Sequence, residues 1–289
     1  MIINYLSNSI VKGGIAPVFD TPTDYALDYE DVTFAAKDRV NLKGWLVKGG
    51  TDKIIVQSHF GIQSSRSGYS PDGKSMKMWP EKIHFLKHVK YLVDQGYSVL
   101  MYDFRNHGDS DDFSNGYCGW GPDVVPDVVA AVNFVANHET YKDAQIGLLS
   151  ICMGAAASTY AFGQGALEGY NIKAMVAIQP MRYADFLKVL GLPGFLRRRV
   201  NAKNSERVGF ELMEKSFVDD VSKISVPTLL VQNGDDQYLV KPSIDQFYND
   251  LSVEKEMMWL SGIGKRRAAG YDYLTKNPAE ILSWFDRFM

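Results

Sequence analysis

The chain predicts an α/β fold built on an eight-stranded, mostly parallel sheet. Three observations carry this. Short β-branched runs alternate with amphipathic stretches from about residue 28 to the end. Four of those runs have little polar interruption, as strands covered by helices on both faces do. And 289 residues at 46% apolar and 22% charged are enough to close one large core. In order, Asp31 to Ala36 and Asn41 to Val47 alternate apolar with polar around Lys37-Asp38-Arg39, which predicts a solvated antiparallel hairpin opening the sheet. The continuous runs are Lys53 to Ser58, Ser98 to Asp103, Ala144 to Leu149 and Lys173 to Gln179, and Val226 to Gln232 and Glu256 to Leu260 extend the series. Helical patterns fall between them, over Glu81 to Gln95, Pro122 to Asn137, Met153 to Phe162, Lys241 to Leu251 and Pro278 to Phe288. The interval from Pro180 to Lys223 is longer than a crossover needs and holds short helical patterns near Leu187 and Glu211. The expectation is a single domain over 1–289 with residues 181–223 inserted as a helical lid over the carboxyl edge of the sheet; an ordinary pair of surface helices fits the spacing as well.

Composition narrows the function. Lys and Arg total 31 against 34 Asp and Glu, a net charge of −3. That is too balanced for nucleic acid or an anionic membrane to be the main partner, which leaves small molecules. Two cysteines, Cys118 and Cys152, make no disulfide framework and suit a reducing compartment, so a soluble, cytoplasmic protein is expected. The first residues are broken by Asn and Ser before reaching signal-peptide length, and no run approaches a bilayer span. No phosphate-binding glycine loop follows a strand, which argues against a nucleotide enzyme, and no cofactor is expected.

The chemistry centres on Ser150-Ile151-Cys152-Met153-Gly154, a small-x-Cys-x-Gly turn between a buried strand and a helix. So sharp a turn strains the central residue and tolerates only small neighbours two positions either side, a demand that Ser150 and Gly154 meet. It lifts the central side chain above the sheet. The following helix aims its amino end at the sulfur, which favours a thiolate and a developing oxyanion, with the Met153 amide as the expected donor. Alone, the pattern is better explained by a buried, inert cysteine, as most free cysteines are.

Three further motifs in matching order shift that balance. Ser58-His59-Phe60-Gly61, Asp103-Phe104-Arg105-Asn106-His107-Gly108-Asp109-Ser110 and Pro227 to Asp236 each follow or end a predicted strand. From about residue 30 to 289 the chain resembles the α/β-hydrolase superfamily, in particular its branch with cysteine at the nucleophile elbow, like dienelactone hydrolases. The resemblance implies an α/β-hydrolase sheet, Cys152 as nucleophile, a second oxyanion amide from Phe60 beside His59, and a triad acid near Asp236. Asp236 is preferred to Asp235, although Asn233-Gly234-Asp235 also makes an ordinary turn.

One feature departs from the family. Where a histidine should follow the last strand the chain has Gly262-Ile263-Gly264-Lys265-Arg266-Arg267, with Lys265 in the slot, and all five histidines precede the elbow. Three explanations compete. Helix and Lys265 ammonium sustain a thiolate that needs no base; His59 or His107 swings in as the base; or hydrolysis has been lost and the pocket does other chemistry or only binds. Arg197, Arg198 and Arg199, with Lys203 and the Lys265 cluster, would suit an anionic or carrier-linked substrate, although three adjacent arginines more often form a solvated turn. Arg66 and Arg105 sit on loops expected to border the site, and Arg105 is assigned with Phe60, Met153 and His59 to substrate binding. His84 and His88 are read as a surface pair, Cys118 as structural, and Gly270 to Leu274 as a packing turn before the last helix. The resulting expectation is an esterase- or thioesterase-type enzyme that acts on an ester, lactone or thioester through Cys152, with Asp236 and Lys265 adjusting charge. The alternative is a degenerate hydrolase fold doing cyclase- or lyase-type chemistry, or binding alone.

Overall fold

The structure, a computed structural model, describes residues 1–12, 16–72 and 78–289. Its main sheet comprises β1 (Tyr29–Ala35), β2 (Asn41–Val47), β3 (Lys53–Ser58), β4 (Ser98–Tyr102), β5 (Gln145–Ile151), β6 (Ile172–Ile178), β7 (Thr228–Asn233) and β8 (Lys255–Leu260). Their spatial order is β1-β2-β4-β3-β5-β6-β7-β8. β1 and β2 pair antiparallel, as do β2 and β4, and every later pairing is parallel. The predicted strands therefore stand within a residue or two of their expected bounds. This is the α/β-hydrolase fold.

Alternation along the strands divides the core. Ile54 and Val56 of β3 face one layer and Ile55 the other, all without solvent exposure. Complete burial of such side chains is worth about 1.5–3 kcal/mol each. The first layer is closed by α3 (Val125–Ala136), α4 (Met153–Gly163) and α7 (Lys241–Asp250), and the second by α2 (Leu86–Asp94), α8 (Ala268–Lys276) and α9 (Pro278–Asp286). Residues 181–223 contain α5 (Tyr183–Val189), α6 (Gly194–Val208) and two 3-10 turns. Together with α1 (Ile2–Val11) they enclose a third, smaller core around Ile10, Tyr183, Leu187, Val200 and Leu212. Among the described residues no helix is long and apolar enough to cross a membrane.

Several local expectations change. α2 begins at Leu86 because Ile83–His84 pairs instead with Gly68–Tyr69 in a small antiparallel ladder. α1 and α8 are helices where none was expected, and Arg197, Arg198 and Arg199 lie inside α6 rather than in a turn. His84 and His88 are not a surface pair. His84 is bound to Asp20, whereas His88 is fully buried and donates from Nε2 to Gln57 Oε1 at 2.6 Å.

Burial pushes the His88 imidazole down to about 3, and its Nδ1 has no hydrogen-bond partner among the described residues with which to share a second proton. The unfolded chain, with an ordinary histidine near 6.5, binds that proton first. Stability is therefore expected to fall as pH drops from about 6.5 towards 3. Urea unfolding at several pH values should show that loss, with a shallower slope in His88→Gln, which keeps a hydrogen-bonding side chain but removes the titration.

Candidate active site

β5 ends at Ile151, and the chain turns into α4 within one residue. Cys152 takes φ 53° and ψ −100°, a conformation that few residues outside glycine adopt and one that holds the side chain above the sheet edge. Its amide donates to the Ile178 carbonyl at 2.8 Å, tying the elbow to β6. A Cβ on Gly154 would stand 2.4 Å from the Ser58 carbonyl oxygen, so only glycine lets α4 approach β3 this closely. Ser150 is buried and hydrogen-bonds Ser158 of α4 at 2.8 Å, which fastens the other side of the turn.

The half-buried Cys152 sulfur opens on a cavity of about 220 Å³. Its wall is largely apolar, formed by Phe60, Ile62, Trp79, Trp120, Met181, Phe186 and Tyr271. A side lobe of about 50 Å³ runs past Met153 and Cys118. Cys118 is buried with its sulfur 3.2 Å from Met153 Sδ, and burial pushes its thiol up.

The cation at the sulfur is Arg267. Its Nη2 lies 3.7 Å from Cys152 Sγ, Nη1 donates to Asp236 Oδ2 at 2.7 Å, and Nε donates to the Tyr271 hydroxyl at 2.9 Å. Nη2 also donates to the Gln179 carbonyl, and Gln179 returns a bond from Nε2 to the Arg267 carbonyl at 2.9 Å. Gln179 holds φ 47° to make this clasp, and Gly270 leaves room for it, since a Cβ there would lie 2.7 Å from the Gln179 amide. Burial works against the charge on Arg267, but Tyr271, Cys152 and Asp236 outweigh it, and the guanidinium is held more firmly protonated than usual.

The remaining assignments separate. Asp236 is buried at Arg267 and caps its own turn by accepting from Tyr238 N at 3.0 Å, while Asp235 accepts from Gly262 N in an exposed turn. Lys265, expected in the histidine slot, is exposed and makes no side-chain ion pair among the described residues; its carbonyl accepts from Gln237 N. The loop carries the basic side chain to the sulfur two residues later, at the start of α8. Phe60 lines the cavity with its ring stacked on Tyr271 at 4.6 Å, and Met153 opens α4 directly after the sulfur. The Phe60 amide donates no hydrogen bond among the described residues.

His59 and Arg105 belong to the scaffold, not the cavity wall. His59 is fully buried, accepts from Phe104 N at 3.0 Å through Nε2, and donates from Nδ1 to the Phe60 carbonyl at 2.6 Å. Burial and then His107 hold it well below the ordinary histidine range. His107 accepts from Ile62 N and donates to the Arg105 carbonyl, so both rings brace the loop carrying Phe60. Arg105 is locked onto Asp127 and Asp38, and Arg66 onto Asp103 and Asp109. These side chains are consumed by partners already present. Arg267 and Tyr271, four residues apart on one helical face, were the residues missed. The sequence signal for them was the spacing of Ala268, Tyr271, Leu274 and Thr275, which marks α8.

The comparisons with known proteins fit this architecture. The family model described as serine aminopeptidase, S33, matches residues 81–200, a stretch that holds the elbow but ends before Asp236 and Arg267. The uncharacterized protein YqkD of Bacillus subtilis is 26% identical over 175 residues, which span 57% of this chain and 55% of that relative. An esterase of Pyrococcus furiosus superposes with a TM-score of 0.69 at 23% identity, covering 96% of each chain. A dienelactone hydrolase of Anabaena variabilis superposes at 0.54 and 14% identity, covering 91% of this chain and 99% of its own. At these identities the likeness is one of fold.

Removing one partner from a buried ion pair leaves an uncompensated charge and typically costs about 3–5 kcal/mol. Arg267→Met, which strands the Asp236 carboxylate, should lower the unfolding free energy by roughly that amount in urea titration. A change under about 0.5 kcal/mol, the size expected of a neutral surface substitution, would mean that the pair is not formed in solution.

Proposed function

We propose that the protein is a hydrolase-type enzyme that transfers an acyl group from an ester, lactone or thioester to the Cys152 thiolate and on to water. The observation that carries this is the strained elbow, which presents the sulfur to an apolar cavity with a fixed guanidinium 3.7 Å away. A cation there is a counter-ion for the thiolate, the nucleophilic form. The amides of Phe60 and Met153 hold the oxyanion, a contribution commonly worth about 10²–10³ in rate per donor. Asp236 and Gln179 keep Arg267 in place, and Arg267 takes the role first given to Lys265. The cavity wall favours an apolar acyl group. The segment 181–223, which contributes Met181 and Phe186 to that wall, serves as the lid. The esterase and dienelactone hydrolase folds of the structural neighbours support the reaction class.

A second reading rests on Arg267 itself, because an arginine does not give up its proton in a protein and so cannot act as a base. On that reading the pocket binds its ligand or rearranges it without hydrolysis. Intact-mass analysis after exposure to a panel of nitrophenyl esters and acyl thioesters decides between the two. The hydrolase reading predicts an acyl adduct on wild type that is absent in Cys152→Ala. No adduct from any member of the panel, with ligand affinity unchanged in Cys152→Ala, would favour the second.

A further inference from the structure

We infer that Tyr271 is the proton carrier of this site, and that the substrates it serves are esters or lactones of ordinary aliphatic alcohols. The inference rests on Cys152 being the nucleophile. Arg267 cannot move a proton, Asp236 is engaged by Arg267, and His59 and His107 are bonded into the loop scaffold away from the sulfur. The Tyr271 hydroxyl accepts at 2.9 Å from Nε of the same guanidinium whose Nη2 lies 3.7 Å from Cys152 Sγ, and it lines the same cavity as the sulfur. Its ring is clamped against Phe60, the residue whose amide is assigned to the oxyanion, with the two planes 6° apart. Burial keeps the phenol protonated far above neutral pH, against the pull of Arg267 and with further help from Cys152. It is therefore an acid in the resting site, and the adjacent guanidinium is a counter-ion for its conjugate base.

The proton balance closes without another reagent. The thiolate attacks the carbonyl carbon, forming the S–C bond, and the oxyanion collapses with cleavage of the ester C–O bond. The departing alkoxide takes the Tyr271 proton and leaves as alcohol, and the phenolate remains beside Arg267. Water then gives a proton to that phenolate as its oxygen attacks the acyl carbon. The S–C bond breaks, the acid departs and the thiolate is regenerated. An alkoxide needs the proton to leave, whereas a nitrophenolate or a thiolate is stable enough to depart without it.

The test compares wild type and Tyr271→Phe in single-turnover acylation, using an ethyl ester and a nitrophenyl ester of the same apolar acid, with the Cys152 adduct followed by mass. On the ethyl ester the variant should lose about 10²–10⁴ in acylation rate, the usual contribution of a positioned acid. On the nitrophenyl ester, whose leaving group departs without a proton, acylation should be nearly unchanged. Equal losses on both esters, or none on either, overturn the proposal. Phenylalanine keeps the stacked ring but leaves Arg267 Nε without its acceptor, so the variant should unfold at a lower temperature than wild type while remaining folded at the assay temperature. 3-Fluorotyrosine at the same position, which retains ring and hydroxyl, should restore ethyl-ester acylation. Failure of that restoration also overturns the proposal. Failure of wild type to form any nitrophenyl-ester adduct instead removes the nucleophile assignment on which it rests.

Discussion

Arg267 is the point on which the site is assembled. Its three nitrogens are divided among four neighbours from separate elements: the Cys152 sulfur at the elbow, the Asp236 carboxylate after β7, the Gln179 carbonyl after β6, and Tyr271 one turn along α8. A planar guanidinium with fixed donor directions can do this, and a lysine cannot, because its ammonium is a compact point charge on a flexible stem. The same geometry explains the backbone strain nearby. Cys152 and Gln179 both hold positive φ, and each is fixed by hydrogen bonds that cross between strands and helices.

Magnitudes favour an electrostatic role over an acid–base one for this residue. Two unit charges 3.7 Å apart at an effective dielectric near 20 attract with roughly 4 kcal/mol, and in bulk water with roughly 1 kcal/mol. The half-buried sulfur and buried guanidinium lie between those limits, so the guanidinium is a favourable counter-ion for negative charge developed at the sulfur. A thiolate removes the need for a base in the attack itself. It does not remove the need for a proton at the leaving group, and in the proposed mechanism the two duties of the usual single histidine are divided between a fixed cation and a nearby phenol.

The sheet and the elbow were legible in the sequence because their causes are local. Strands buried on both faces must be continuously apolar, and a turn as sharp as that at Cys152 must have small residues at 150 and 154. The cation was not. Lys265 follows Gly262-Ile263-Gly264 in the slot where the resemblance places a histidine, but Gly262 and Gly264 both adopt positive φ, and the loop delivers position 267 to the sulfur instead. Missing α8 concealed the pairing of Arg267 with Tyr271 and led Gly270 to Leu274 to be read as packing alone. α1 was missed for a related reason, since buried Ser7 of that helix is held by Arg207, 200 residues away. Arg105 and His59 lie on loops at the carboxyl edge of the sheet, which is why the sequence places them at the site. Only coordinates show that Asp127, Asp38, Phe104 and Phe60 already occupy them.

The most direct measurement of the Cys152–Arg267 relationship is the rate of alkylation of Cys152 by anionic iodoacetate relative to neutral iodoacetamide. A sulfur facing a fixed guanidinium should favour the anion more strongly than a free thiol does, and should lose that preference in Arg267→Met. A ratio equal to that of a free thiol in the wild-type protein would contradict the account, because no cation would then stand beside the sulfur.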